Sequence, residues 1–309
     1  MKRIVGIGAN VCDILLTIPH YPKEDTKIGA TAISRCGGGP CATSLATAAR
    51  LGANCAYIGV LTDDSAGIFL MEDLKKYEVE TSLVEFQPGY TSFSSYICLS
   101  EETATRTCVY HRGTLPPLQL SEKQKEAVRH SDILMIDGNE LPAALEAAKL
   151  AKDSGTRVLY DAGGLYEGVG DLLPYVDILI PSEEFALGFS GEKTAETAAK
   201  KLFASFSPDI VVITQGKKGG ILYDGKDVVA YPAFPVTAMD TNGSGDVFHG
   251  AFAYAITAGL DFFEAAVFSS AVSAIKCTKI GARAAVPTRK EVIQFLKERG
   301  YDEFEENMD

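Results

Sequence analysis

The feature that most constrains this chain is a repeated alternation of short apolar runs with segments of helical periodicity. Runs at 3–9, 54–60, 132–137, 156–161, 176–180 and 209–214 read as buried strands, with a further strand near 80–86. Helical patterns at 41–51, 65–77, 141–154, 166–173, 182–190 and 194–206 lie among them. Strands apolar on both faces and separated by helices build a mostly parallel sheet covered on both sides, so the expected class is a three-layer α/β sandwich.

Two regions break the rhythm. Residues 27–34 have β-type composition, and 91–99 with 103–112 read as a hairpin turning at Ser100-Glu101-Glu102. Their Thr, Tyr and Phe content and partial alternation fit a half-exposed antiparallel sheet. The expectation is a single domain over 1–309 with a small β-sheet lid inserted at about 14–34 and 90–113. An exposed apolar lid face is commonly buried by a second copy, which predicts a homodimer through the lid.

Composition excludes several classes. The net charge of −12 argues against nucleic-acid binding, which needs a basic footprint. No run reaches the roughly 20 apolar residues that span a membrane, and Asp13 interrupts the apolar N-terminal stretch, which no cleavage site follows. Seven cysteines without a CxxC pair, and only four histidines, point away from zinc and towards free thiols in a cytoplasmic protein. The acidic tail at 301–309 is expected to fray.

The chemistry concentrates at Asp240-Thr241-Asn242-Gly243-Ser244-Gly245-Asp246, which opens a Gly- and Ala-rich helix. Free N–H groups at a helix start attract anions, and glycines let the backbone approach a phosphate. Amides of Gly243, Ser244 and Gly245 form the expected anion hole, and Asp246 is the candidate base for an attacking hydroxyl. An ordinary Asp has a pKa of about 4, and the helix dipole is expected to lower it further. The stretch DTNGSGDVFHGAF resembles the C-terminal signature of the PfkB (ribokinase-like) carbohydrate kinases, and the resemblance extends over nearly the whole chain. It implies a ribokinase-like fold and ATP-dependent phosphorylation of a primary hydroxyl of a sugar or sugar derivative, with Mg²⁺ as cofactor.

The resemblance also assigns residues. Gly38 and Gly39 fall on a Gly pair that touches the sugar, and Thr43 stands where an Asn is usual. Thr43 therefore either contacts substrate or caps the helix that follows. Asp13 falls where an Asp binds sugar hydroxyls, a task suited to a carboxylate that accepts from two neighbours. Arg112 closes the lid hairpin, either meeting an anionic substituent or standing solvated. Thr214, Gly216 and Gly219 match a Thr-x-Gly-x-x-Gly nucleotide turn. Residues 276–287, with Gly281, resemble the adenine-side loop, where some members also hold a monovalent cation such as K⁺ against the backbone near Asp240. The metal-linked Asn-x-x-Glu pattern is altered. Ser182 and Phe185 take its two positions, leaving Glu184 and Asp161 as candidate Mg²⁺ contacts, with a strand-end role for Asp161 as the alternative. His249, one turn past Asp246, is expected to be a helix side chain facing solvent or neighbouring structure.

Other readings fare worse. A G-x-G-x-x-G dinucleotide motif fails because Val11 replaces its third glycine, and no Walker A loop occurs. A nucleoside kinase of the same superfamily and a non-catalytic sugar-binding regulator remain as alternatives. Asp246 with an intact glycine cradle favours an enzyme over the regulator.

Overall fold

Side chains alternate across a strand, so a strand with no polar face must be covered twice. In the computed structural model, which describes residues 2–103 and 105–304, β1 (Arg3–Ile7) shows this directly. Ile4 joins one core while Val5 and Ile7 join the other. The same split holds in β8 (Ile133–Ile136), where Ile133 and Met135 face one way and Leu134 and Ile136 the other. The nine-stranded sheet has the order β13 (Val228–Tyr231), β12 (Gly220–Tyr223), β11 (Ile210–Thr214), β10 (Ile178–Pro181), β9 (Arg157–Ala162), β8, β1, β4 (Asn54–Leu61), β5 (Val84–Phe86). Strands β11 to β5 run parallel, and β12 and β13 add an antiparallel edge.

One face carries α1 (Pro40–Leu51), α7 (Ser244–Ala258), α8 (Phe262–Cys277) and α9 (Arg289–Lys297). The other carries α3 (Glu122–Arg129), α4 (Leu141–Ser154), α5 (Glu183–Ser190) and α6 (Ala195–Phe206). Helix α2 (Ser65–Lys76) lies at the β4 end, where Leu70 packs with Leu61 and Cys12.

A second sheet has the order β3 (Ala32–Gly38), β2 (Val11–Ile18), β6 (Ser94–Ser100), β7 (Arg106–His111). The pair β6–β7 is the expected hairpin, but β2 and β6 run parallel. Register puts Asp13, Ser95 and Tyr110 side by side on one face, and Ile14, Tyr96 and Val109 on the other. On this second face Ile33, Tyr96 and Val109 are exposed.

Three expectations need correction. The strand placed at 27–34 lies at Ala32–Gly38, because its register with β2 runs from Ala32 opposite Thr17 to Gly38 opposite Val11. The helix placed at 166–173 is two single 3₁₀ turns, at Val169–Asp171 and Leu173–Tyr175. Gly168, Gly170 and Pro174 deny it a continuous helical backbone. Within the tail, Phe304 is buried against Phe268, so the chain stays anchored that far, while 305–309 lie outside the described residues. No described helix is long and apolar enough to cross a membrane.

Helices α1 and α7 cross in close contact at Gly250, where a Cβ would stand 2.1 Å from the Ser44 carbonyl oxygen. Gly250→Ala is expected to cost about 3 kcal/mol of stability through overpacking. Urea unfolding should show this as a lower midpoint with an unchanged slope.

Candidate active site

In an open parallel sheet, ligands bind beyond the carboxyl ends of the strands, where the following loops diverge. The chain leaves β8 into Asp137, a buried carboxylate that organises this edge. Its Oδ2 accepts from the Ala9 and Cys41 amides at 2.8 and 3.0 Å, and its Oδ1 accepts from the Asn139 amide at 2.9 Å. One side chain thus ties the end of β1 to the start of α1. Gly39 begins α1 at φ 89°, and a Cβ there would lie 2.5 Å from the Ala9 carbonyl oxygen, so no other residue fits. Asp137 ends an apolar strand just as Asp161 does, and that parallel was the sequence signal available for it.

A cavity of about 230 Å³ opens here between the main sheet and the smaller one. Asp13, Gly38, Gly39, Arg112 and Asp246 all line it. Asp13 is buried, and Ser95 Oγ donates to its Oδ1 at 2.6 Å. Burial raises its carboxyl above the usual range, while Ser95 and the Arg283 charge pull it back. Arg112 donates to Asn139 Oδ1 at 3.0 Å and stands over the rings of Phe93 and Tyr166. Among the described residues no carboxylate pairs with it.

Thr43 is not on this wall. It is fully buried, and its Oγ1 accepts from Arg283 Nε at 3.3 Å, so neither substrate contact nor helix capping holds; Gly39 occupies the cap position. Arg283 itself escaped sequence reasoning. Its guanidinium is buried, pairs with Asp73 Oδ2 at 2.6 Å, and donates to Asn10 Oδ1 at 2.9 Å and to the Gly38 carbonyl. It locks the loop after α8 to the Gly pair and to α2. Gly37 makes room, since a Cβ there would meet both Asp73 and Arg283 at under 2.4 Å.

A second, larger cavity of about 490 Å³ is lined by Thr214, Gly216, Gly219, Ser244 and Gly245 together with apolar residues such as Val236, Phe234 and Ala274. The first turn of α7 therefore forms part of both walls, with Asp246 towards the small cavity and Ser244 and Gly245 towards the large one. Helix α7 starts at Gly243, φ 73°, with no side-chain cap. The Ser244 amide bends back to the Thr241 carbonyl at 3.2 Å and Val247 N–H bonds to Gly243 O. Among the described residues, the amides of Gly243, Gly245 and Asp246 have no protein acceptor. Gly281 is absent from the large cavity; its amide donates to Asp240 Oδ2 at 2.9 Å and braces the loop instead.

Asp246 does not have the lowered pKa expected at a helix start. Burial, followed by the nearby Asp161 carboxyl, pushes it up to about 7, and His249 offsets part of the rise. His249 is buried, with Nδ1 2.6 Å from the Gly245 carbonyl oxygen and 3.2 Å from Asp161 Oδ2, and Nε2 3.0 Å from the Ile180 carbonyl oxygen. It thus faces neighbouring structure rather than solvent, and burial pulls its imidazole below the ordinary range. Burial and the Asp137 charge hold the Asp161 carboxyl well above the usual range.

Asp161 is thus turned into the protein against His249, and its Oδ2 is buried without a hydrogen-bond partner among the described residues. Glu184 is exposed on α5, Ser182 caps that helix by accepting from Phe185 N–H at 3.1 Å, and Phe185 is buried between Tyr160 and Phe189. The described residues contain no group of three or more His, Cys, Asp or Glu that could hold a metal ion. Methionine at position 283 would leave Asp73 buried without its partner. Arg283→Met is expected to cost about 3–5 kcal/mol. The double variant with Asp73→Leu should be more stable than Arg283→Met alone, as read by chemical denaturation.

Comparison with known proteins bears on family and fold. Residues 1–289 match the model of the pfkB family carbohydrate kinases. The chain is 26% identical to a ribokinase of Haemophilus influenzae, with 96% of this chain and 99% of that one covered. It is 28% identical to a 5-dehydro-2-deoxygluconokinase of Clostridium botulinum, over 96% of this chain and 93% of the other. Its fold is similar to that of Arabidopsis thaliana ribokinase, solved with ribose and ATP, at a TM-score of 0.86 and 26% identity over 96% and 99% of the two chains. The ribokinase-like fold read from the sequence is thereby shown, and the chain belongs to the pfkB family of carbohydrate kinases.

Proposed function

We propose that this kinase transfers the γ-phosphoryl group of ATP to a primary hydroxyl of a sugar or sugar derivative held in the smaller cavity. The observation that carries the reading is the shared wall. A helix start with unpaired amides stands between two cavities of different size, with a carboxylate on the side of the smaller one. The larger cavity suits the nucleotide, with Thr214, Gly216 and Gly219 along its phosphate and ribose side.

In this reading Asp13 and the Gly38–Gly39 backbone hold the acceptor hydroxyls, and Arg112 meets the far end of the sugar. Asp246 takes the proton from the attacking hydroxyl as its oxygen bonds to the γ-phosphorus and the bond to the β-phosphate oxygen breaks, releasing ADP. Gly243 and Gly245 amides stabilise the transferring oxygens, aided by the Asp246 amide in place of that of Ser244. A carboxyl poised near pH 7 is a stronger base than an ordinary Asp, which suits proton abstraction. Mg²⁺ would come with the nucleotide phosphates and its own waters, since the described residues build no dedicated cage for it. The smaller sheet acts as a lid within one domain and excludes water as a competing acceptor. We also propose a cytoplasmic homodimer joined through Ile33, Tyr96 and Val109 on the outer lid face.

The decisive experiment is ADP release measured across sugars, sugar acids, phosphosugars and nucleosides. Turnover only with nucleosides would replace the sugar reading, and sugar binding without turnover would make the protein a regulator. Asp246→Asn should lower kcat by about 10²-fold or more while ATP binding survives, on the scale of general-base loss; near-normal turnover would sink the assignment. In the wild-type enzyme, kcat/KM for the sugar should fall as pH drops through about 7, because Asp246 must be ionised to act. A flat profile between pH 6 and 8, measured at about constant ionic strength, would show that Asp246 is not the titrating base.

A further inference from the structure

The loop that carries Asp246 is held from beneath by a lysine. Lys276, in the last turn of α8, is fully buried and lines neither cavity. Its ammonium donates to the Asp240 carbonyl at 2.8 Å and to the Asn242 carbonyl, with Asp240 Oδ2 at 3.7 Å. Two carbonyls and a carboxylate converging on one point are hard oxygen donors, the set that would suit a free monovalent cation. Here an ammonium takes their place, donating to the two carbonyls and standing as an ion-pair partner to the carboxylate.

The position of this contact matters for the cradle. In a planar trans peptide, C=O and N–H of one unit point in opposite directions. Fixing the Asn242 carbonyl on Lys276 therefore aims the Gly243 N–H away from the lysine, and that amide has no acceptor among the described residues. The contact with the Asp240 carbonyl fixes the Asp240–Thr241 unit, two before it, in the same way. Around the lysine, Asp240 Oδ2 also takes the Gly281 amide, and Met239 and Asp240 amides bond to the Cys277 carbonyl, so the whole turn is clamped to the end of α8. Burial pulls the ammonium down, and the Asp240 charge opposes it.

We propose that the Lys276 ammonium is a tethered cation that fixes the catalytic 240–246 loop, so that the enzyme needs no exogenous monovalent cation there. The expectation of a K⁺ site beside Asp240 is thereby replaced: those oxygens already have their positive charge. Lys276 is a positioning residue, since it acts on the transferring phosphate only through the peptide units it orients. The proposal rests on the kinase reading for its catalytic consequence but not for its structural one.

The test uses the full chain in potassium chloride and in choline chloride at equal ionic strength. Wild-type melting temperature and kcat should be the same in both salts. Lys276→Ala should melt lower in choline chloride and regain stability with K⁺ or methylammonium, which choline is too large to imitate. Its kcat should fall about 10²-fold or more, the scale of losing one oriented donor, with the sugar KM little changed and activity regained with the same two cations. Wild-type protein stabilised or activated by K⁺ over choline would overturn the proposal. So would a Lys276→Ala protein that equals wild type in choline chloride, or one that neither cation rescues. If that variant does not fold, Lys276→Met and the wild-type salt comparison still decide. Absence of turnover by wild type in both salts would instead reject the kinase reading, and the melting curves would continue to report on the lysine.

Discussion

A helix must do something with its first N–H groups, and how this chain does so divides its helices into two kinds. Among the described α-helices six, α2, α3, α5, α6, α8 and α9, begin at an Asp, Ser or Thr whose side chain accepts from the first turn. Three, α1, α4 and α7, begin without any such cap, at Gly39, Glu140 and Gly243. These three starts follow or flank the residues of the candidate site. At α1 the Cys41 amide is taken by Asp137, a side chain from another strand, so the unsatisfied donor becomes a tertiary tie. At α7 the amides of Gly243, Gly245 and Asp246 have no acceptor among the described residues, and on the proposed reading a phosphate would supply it.

Leaving donors unmet costs stability unless the backbone around them is held by other means. The loop before α7 is held from behind by Lys276, by the Gly281 amide and by the Cys277 carbonyl. The wall of the smaller cavity at Gly38 is held by Arg283, which reaches from the same stretch of chain to Asn10, Gly38, Thr43 and Asp73. Eight residues span from Lys276 to Arg283, and between them they brace the floor of both cavities. A mutation that loosens this stretch would therefore disturb the walls of both cavities together.

The central sheet was legible in the sequence because β-strands buried on both faces leave unbroken apolar runs, as in Ile133–Ile136 and Ile210–Thr214. The strand β2 was not, because Asp13 and Thr17 interrupt Val11–Ile18 and it pairs with a partner some 80 residues away, which no local pattern encodes. Helix α3 is short and polar, with only Gln124 and Val128 buried, so its periodicity is faint. The functional loop was visible because glycine and aspartate spacing is itself the chemistry. Arg283 and Lys276 were invisible for the opposite reason: each is a lone basic residue whose role exists only where distant carbonyls converge. The raised Asp246 carboxyl belongs to the same class. Its helix-start position argues for a lowered value, and only burial beside Asp161 reverses the sign.

Charge explains why such hidden cations are needed. On the proposed reading, a protein of net charge −12 that takes a polyanion such as ATP cannot rely on its overall field to attract or neutralise phosphates. Its positive potential has to be local: backbone dipoles at α7, a buried ammonium behind them, and on the smaller cavity an Arg112 guanidinium that has no carboxylate partner among the described residues. Buried cations are costly when unpaired, yet each here is matched by oxygens that also define the site. Lys276 meets the carbonyls of the 240–246 loop, and Arg283 meets the carbonyl of Gly38. The interactions that neutralise these side chains are thus the same ones that set the backbone around both cavities, so stability and geometry at this site cannot be varied independently.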